Sequence, residues 1–267
     1  MMTENNEEFQ YFFESNNTLF ENYQNSYVGN FENYRICRIP DMDDPFSNCV
    51  LVNKDLDMEE IYKLKKQFIN ENLIPSFSVM TNSKTYDLLI ENGATSEYEI
   101  IWMKCDLETT HIDKNIFKDI EIKTFDTSNN KDYLEVYKSA YLENDGIGFA
   151  LDDSYLKTYE QHTQQERFEE KVLIAYNETG EPVCISTVGL DSKKPNISIL
   201  HSVGTKNNIR RKGYARKLMT KGMSISKDQN ITKMYLGTID NSPMQTFYES
   251  LGFKPLMRTS LLVFKNI

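Results

Sequence analysis

The sequence predicts an α/β protein built as two similar halves, and three observations carry that prediction. Strand-like apolar runs alternate with segments of helical spacing along the 267 residues. Glu178-Thr179-Gly180-Glu181 joins two such runs as a hairpin turn, which makes neighbouring strands antiparallel. The ends of the halves also repeat one another. Phe77 to Met103 reads strand, Ser/Thr/Asn turn, helix, Gly, strand, and Tyr235 to Leu262 reads the same order at the same spacing. Gly93 then matches Gly252, and Ile100–Met103 matches Leu261–Phe264. At roughly 100–200 residues per domain the chain has room for two small ones. The polar stretch near Lys114–Lys118 sets the boundary, giving domains 1–115 and 116–267.

In order, Glu7 to about Tyr27 reads as one or two helices. Tyr34–Ile39 and Cys49–Val52 read as strands around a turn at Asp41–Pro45. Asp57 can cap a helix to about Asn72, with Ile61, Leu64, Phe68 and Ile69 at helical spacing. Phe77–Met80 is a strand, Ser83–Asn92 a helix ended by Gly93, and Glu97–Leu107 a long strand carrying Trp102. The second half opens with strand Glu121–Phe125 and helices Tyr133–Leu142 and Ser154–Gln165. Strands Lys171–Asn177, Pro182–Leu190 and Ile197–Thr205 follow, then helix Gly213–Lys227. Strand Lys233–Thr238, helix Pro243–Ser250 and strand Leu261–Phe264 close the chain.

Whole-chain composition narrows the function. A formal charge of −10 is the opposite of a nucleic-acid binder's basic footprint. It mildly favours cationic partners such as amines, and it also serves solubility alone. Cys37, Cys49, Cys105 and Cys184 lack metal-site spacing and read as buried thiols in a reducing cytoplasm, with no metal expected. Met1 to Gln10 is acidic and polar, unlike a signal peptide, and no apolar run approaches the ~20 residues of a membrane span.

The chemistry is concentrated in Ile197 to Ala215. An apolar strand enters a polar loop that ends at Gly213, where a helix begins, and Arg210 to Ala215 has the form R-x-x-G-x-A. A helix N-terminus offers unpaired N–H groups and the positive end of its dipole, where a pyrophosphate can sit. Gly213 lets a ligand approach the backbone, Ala215 keeps the first turn thin, and Arg210, Arg211 and Lys212 add positive charge. Both the Walker ending and the G-x-G-x-x-G fingerprint are missing.

Together with the C-terminal residues Met234 to Phe253, the segment resembles the GNAT superfamily of N-acetyltransferases. The matching pieces are Val203 to Ala215, Asn241 seven residues before Tyr248, and F-Y-E-S-L-G-F from Phe247 to Phe253. The resemblance is strong over about Ile197–Phe264 and weaker back to about Lys118. It implies tandem GNAT-like domains, each a mixed, largely antiparallel sheet flanked by helices, and acetyl-CoA as cosubstrate. Backbone groups at His201 to Val203 and at Thr205 would pair with the pantetheine arm, with Ser202 inside that stretch. The N–H of Val203 would face the thioester carbonyl. N–H groups of Arg211, Lys212, Gly213, Tyr214, Ala215 and Arg216 would hold the pyrophosphate. Asn241 would bond the pantetheine or line the acyl site, and Tyr248 would protonate the leaving thiolate.

Blander roles stand beside these. Tyr248 can be a core aromatic, Asn241 a turn or N-cap residue, and His201 a satisfied structural histidine. Family members often place a Glu base on the strand before the phosphate loop. This strand offers His201 instead, and water or a free-amine substrate is the alternative. The acceptor is a small-molecule or peptide amine. Two other functions keep the fold: an acetyl-CoA-binding sensor or scaffold, and transfer of a longer acyl group. The stretch Val52 to Asp57 is acidic and lacks Gly, so the N-terminal half reads as degenerate. It could complete the acceptor site, pair two copies as a homodimer, or only stabilise the fold.

Overall fold

The computed structural model describes residues 27–39, 45–142, 168–191 and 196–265. The readings of helices at Glu7–Tyr27 and Ser154–Gln165 lie almost wholly outside these residues, as does most of the turn at Asp41–Pro45. The fold is mixed α/β, and the chain forms two compact units. One comprises Met1–Trp102, Thr238–Gln245 and Leu256–Ile267, the other Met103–Gly237 and Thr246–Pro255.

In the first unit, β1 (Tyr27–Asn30), β2 (Tyr34–Arg38) and β3 (Cys49–Val52) pair antiparallel in turn. Helix α1 (Met58–Asn70) then crosses to β4 (Ser76–Met80), which lies parallel to β3. Helix α2 (Lys84–Glu91) leads to β5 (Thr95–Asp106). The strand order here is β1-β2-β3-β4-β11-β5, where β11 is Lys254–Val263 from the far end of the chain. Thr259–Val263 pair antiparallel with Ser76–Met80, and Trp102 Nε1 donates to Thr259 Oγ1 at 3.0 Å. The apolar stripe Ile61, Leu64 and Phe68 on α1 packs with Leu89 of α2 over Val50, Val52, Phe77 and Val79.

The second unit has strand order β5-β10-β9-β8-β7-β6, using the end of β5. Here β6 is Glu121–Thr124, β7 Phe168–Tyr176, β8 Pro182–Asp191, β9 Ile197–Thr205 and β10 Lys233–Ile239. From β6 to β9 every pairing is antiparallel, and β10 runs parallel to β9. Helix α3 (Asn130–Tyr137) covers one face through Val172, Ile174, Tyr176 and Ile185. Helix α4 (Tyr214–Asp228) covers the other through Leu173, Ala175, Val183 and Cys184. The period-2 alternation along β7 sorts these residues to opposite faces. Helix α5 (Pro243–Glu249) links β10 to β11.

Three elements differ from the sequence reading. Tyr27–Asn30 is a strand. The helix read as Tyr133–Leu142 begins at Asn130 and opens into a π turn over Lys138–Leu142. The last strand begins at Lys254 rather than Leu261, because Pro255 and the polar run Arg258–Ser260 hide its strand character; β4 pairs with its Thr259–Val263 part. The internal repeat has a conformational counterpart. Asn82 and Asn241, each eleven residues before its glycine, are both left-handed (φ 70° and 55°), as are Gly93 and Gly252.

Candidate active site

The site grows from an irregularity in β9. Its antiparallel ladder with β8 slips after Ile185–Gly204 and resumes at Thr187–His201. Ser202 and Val203 therefore oppose Ser186 alone, a β-bulge, and Ser202 takes a left-handed φ of 52°. A bulge bends a strand and sharpens its twist. On the other side, pairing of β9 with β10 runs only from Ile197 to Ile199. Beyond that point His201 to Thr205 have no β10 pairing.

The bulge is held from above by the π turn. Tyr141 Oη donates to the Val203 carbonyl at 2.6 Å. A Cβ at Gly204 would stand 2.9 Å from both Ala140 and Tyr141, so the turn can seat itself only on a glycine. The same turn grips the loop after β9. Asn207 Nδ2 donates to the Ser139 carbonyl, and Arg210 Nη2 donates to the Ala140 carbonyl at 3.0 Å. Lys206 is buried and donates to Glu135 of α3 at 2.5 Å and to Glu181 at 3.1 Å. Burial by itself would lower the lysine's pKa, but the two carboxylates outweigh it and the net direction is up.

The loop then delivers α4. Arg210, Arg211, Lys212 and Gly213 are exposed, Arg211 and Gly213 have left-handed φ (66° and 86°), and no side chain caps the helix. A Cβ at Gly213 would meet nothing within 4 Å, so glycine is needed for its backbone conformation and not for want of space. Alternating backbone handedness turns successive N–H groups inward as an anion-binding nest, beside the helix dipole. Tyr214 and Ala215 are half-buried against the Leu218 cluster. The Arg216 side chain turns to α5, donating to Ser250 Oγ at 2.6 Å.

Tyr248 is 6% exposed, and its ring packs on Phe247 and Phe253. Among the described residues none hydrogen-bonds its hydroxyl. Burial, then the nearby Cys184 thiol, push its pKa above the ordinary phenol value. Burial pushes Cys184 itself up to about 12, although Thr205 at 3.2 Å works the other way. Burial, then Tyr248, raise Tyr141 as well. Cys184 is therefore a neutral thiol at pH 7 and a poor nucleophile. His201 is bracketed: Nε2 lies 3.0 Å from Glu170 Oε1, and Nδ1 lies 3.0 Å from Ser202 Oγ.

Asn241 is exposed and belongs to the first unit. Its N–H donates to Gln245 Oε1 at 2.9 Å and its Nδ2 to Asp240 Oδ2 at 3.2 Å. Glu170, Tyr141 and the Lys206 anchor are the participants the sequence reading missed. For Glu170 a signal existed. It shares a strand face with Val172, Ile174 and Tyr176, a carboxylate in an apolar row, but the strand was begun one residue later. Among the described residues no His, Cys, Asp and Glu gather as a metal site, and no helix is long and apolar enough to cross a membrane.

The second unit is an α/β domain whose β9 bulge runs into an uncapped helix start at Gly213. Residues 132–253 match the acetyltransferase (GNAT) family model. A GCN5-related N-acetyltransferase from Kribbella flavida is 13% identical with a TM-score of 0.66, covering 96% of both chains. A conserved protein of Staphylococcus epidermidis is 18% identical with a TM-score of 0.63, covering 92% of this chain and 96% of its own. A tandem GNAT protein from the clavulanic acid biosynthesis pathway is 13% identical with a TM-score of 0.64, covering 86% and 77%. At these identities the likeness is one of fold. Comparison with curated proteins produced no match.

Proposed function

We propose that this chain is a cytoplasmic, acetyl-CoA-dependent N-acetyltransferase whose working domain is 116–267, with 1–115 a degenerate GNAT-like half. The observation that carries the reading is the bulged, half-released β9 running straight into an uncapped, basic helix N-terminus at Gly213. The residues fit the cosubstrate. The open edge of His201 to Thr205 can take the pantetheine amides as an added strand. The Arg211–Arg216 backbone and the charges of Arg211 and Lys212 suit a pyrophosphate. Arg210 serves by bracing the loop. Asn241 is assigned to the pantetheine or acyl end.

The bound thioester supplies an activated acetyl group for an amine to attack directly, with no covalent enzyme intermediate. The Val203 N–H is assigned to the carbonyl oxygen, where a fixed donor stabilises developing negative charge. Tyr248 stays protonated at neutral pH and donates to the sulfur as it gathers charge. A thiol near pKa 8.5 is a stronger acid than this phenol, so the stabilisation is by hydrogen bonding rather than complete proton transfer. The acceptor is a small-molecule or peptide amine, to which the chain's net charge of −10 is complementary. Nucleic acid and membrane have no part in this reading. The N-terminal half serves acceptor selectivity, packing or pairing of two copies as a homodimer.

The test is calorimetry with acetyl-CoA, followed by coenzyme A release across a panel of amines with acetyl- and longer acyl-thioesters. One cofactor bound per chain, with amine-dependent release from acetyl-CoA, is expected. Binding without turnover on any amine would make the protein a sensor or scaffold. Preference for longer thioesters would change the donor, and absence of binding would overturn the reading.

A further inference from the structure

Glu170 is a carboxylate on an otherwise apolar strand face, its side chain only 4% exposed. Its partner across the ladder is Gly189, which in turn opposes Ile199. With no side chain standing at Gly189, the carboxylate reaches diagonally over β8 to His201 on β9. Burying it there is costly unless it is strongly bonded, and the imidazole at 3.0 Å is a bond that lowers the cost.

The chemistry of the three groups sets the direction of each hydrogen bond. A glutamic acid is a stronger acid than an imidazolium, so the shared proton rests on Nε2 and the carboxylate accepts it. In the neutral ring Nδ1 is then a lone pair, and the neighbour it has at 3.0 Å is the Ser202 hydroxyl, which must donate to it. For a neutral ring the order is Ser202 O–H to His201 Nδ1, and His201 Nε2–H to Glu170. The chain of bonds ends at the bulge, where Ser202 is held left-handed on the stretch of β9 released from β10.

We propose that Ser202, His201 and Glu170 form a proton relay that deprotonates the acceptor amine. The inference rests on the acetyltransferase reading and extends it to the missing base. As the acceptor nitrogen bonds to the acetyl carbon and the carbon–sulfur bond breaks, the nitrogen must shed one proton. That proton passes to Ser202 Oγ while the Ser202 proton passes to His201 Nδ1. The resulting imidazolium is held by Glu170 and returns its proton to solvent, from which the thiolate, bonded meanwhile to Tyr248, is finally protonated. Ser202 touches the substrate, His201 is the base acting through it, and Glu170 is a positioning residue.

Two measurements on the full chain test this. In ¹H–¹⁵N spectra of the three imidazoles, His201 of the cofactor-free protein should be a single Nε2–H tautomer at neutral pH. Ser202→Ala should perturb its Nδ1 resonance, and Glu170→Gln its Nε2–H. A mixed or Nδ1–H tautomer overturns the relay whatever the protein's activity. Turnover of acetyl-CoA with ethanolamine, putrescine and a glycyl peptide as probes should fall by about 10²-fold in kcat for Ser202→Ala and His201→Gln. Glu170→Gln should lose about tenfold, and KM for acetyl-CoA should hold in all three. Glu170→Asp should recover part of the loss if the carboxylate positions the ring. Unchanged kcat in Ser202→Ala and His201→Gln overturns the relay. A trapped acetyl group on Ser202 also overturns it, by making the serine a nucleophile. If wild-type protein fails to bind acetyl-CoA, the acetyltransferase reading falls instead, while the spectra still decide the hydrogen-bond order.

Discussion

Each unit contains a strand, a loop and a helix in succession, and the two loops have opposite chemistry. After β3 the first unit places Asp55 and Asp57. Asp57 caps α1, accepting from the Glu60 N–H at 2.9 Å, and Asp55 accepts from Thr85 N and Oγ1. The helix N-terminus is already satisfied by a negative side chain, which excludes a phosphate. After β9 the second unit places Arg210, Arg211 and Lys212, then a left-handed glycine and no cap. No side chain there takes the place that Asp57 fills in the first unit. The helices after β4 and β10 differ in the same sense. Counting back four residues from Gly93 gives Leu89, fully buried, and counting back four from Gly252 gives Tyr248, which brings a phenol to the equivalent position. Asn82 and Asn241 show where the halves agree. Both sit left-handed in the turn before a helix, which a short polar side chain tolerates best. Asn241 thus has a turn-forming role that is independent of any cofactor. The same left-handed Asn and Gly positions recur in both halves, while cap, loop charge and one helical side chain separate the two turns.

Replacing the left-handed glycine should break the comparison most directly. Gly213→Val forces a β-branched residue to φ 86° and shields the first N–H groups. The expected result is acetyl-CoA affinity weakened by about 10²-fold, on the order of 2.7 kcal/mol, in a protein that still unfolds cooperatively. Unchanged calorimetric affinity in a folded variant would remove the loop from the site. Making the second unit resemble the first at α5 is the next largest step. Tyr248→Phe preserves ring packing and deletes the donor, so kcat should drop by roughly 10²-fold or somewhat less with KM for acetyl-CoA steady. Full activity at saturating acceptor would leave Tyr248 as packing alone.

Disabling the first unit's cap should have a smaller effect, confined to stability. Asp57→Ala should cost about 1 kcal/mol in denaturant unfolding and leave acetyl-CoA affinity alone. A gain of a second bound cofactor would show that the acidic cap, and not the missing glycine, had closed that turn. The slightest effect concerns pH and the buried cluster of Cys184, Tyr141 and Tyr248. All three have folded pKa values above their unfolded ones. As pH rises the unfolded chain therefore releases protons first, and stability falls by up to about 1.4 kcal/mol per pH unit for each such group. The contribution is complete below about pH 8 and declines from about pH 8.5; for Cys184 the decline ends near its folded value of about 12. Melting temperatures from about pH 8 to about pH 11 should fall, and Cys184→Ala should flatten the first part of the slope. An unchanged slope in that variant would mean the thiol is not the group titrating.

Much of the fold was legible because its signals are local. The apolar stripe of α1, its Asp57 cap, the Ser83 cap of α2 accepting from Tyr86 N, and the glycines that end the helices all act within a few residues. The helix start after Gly213 was legible for the same reason, since a glycine before a helical run is a property of a few consecutive residues; that this glycine is left-handed was not. The π turn was not, because nothing in K-S-A-Y-L opposes an ordinary helix. It is fixed by Arg210 and Asn207 reaching back from the loop after β9. Arg210 itself was read as a phosphate ligand because charge beside a glycine points that way, and only the loop's packing shows its guanidinium turned to the Ala140 and Thr205 carbonyls.

By itself, then, the sequence determined most strand and helix positions and the contrast between an acidic turn after Val52 and a basic turn ending in glycine after Thr205. Only the tertiary structure decided which strands meet and what lies across from what. Trp102 bonds Thr259 over a separation of 157 residues, Tyr141 reaches Val203 over 62, and Glu170 reaches His201 over 31. The first and last of these contacts depend on strand register, where a shift of one residue turns a side chain to the opposite face. Register is set by the summed packing of whole sheets and not by any short pattern. The histidine was visible as a residue type, and the carboxylate and hydroxyl that lie 3.0 Å from its two ring nitrogens became visible only when β7, β8 and β9 lay side by side.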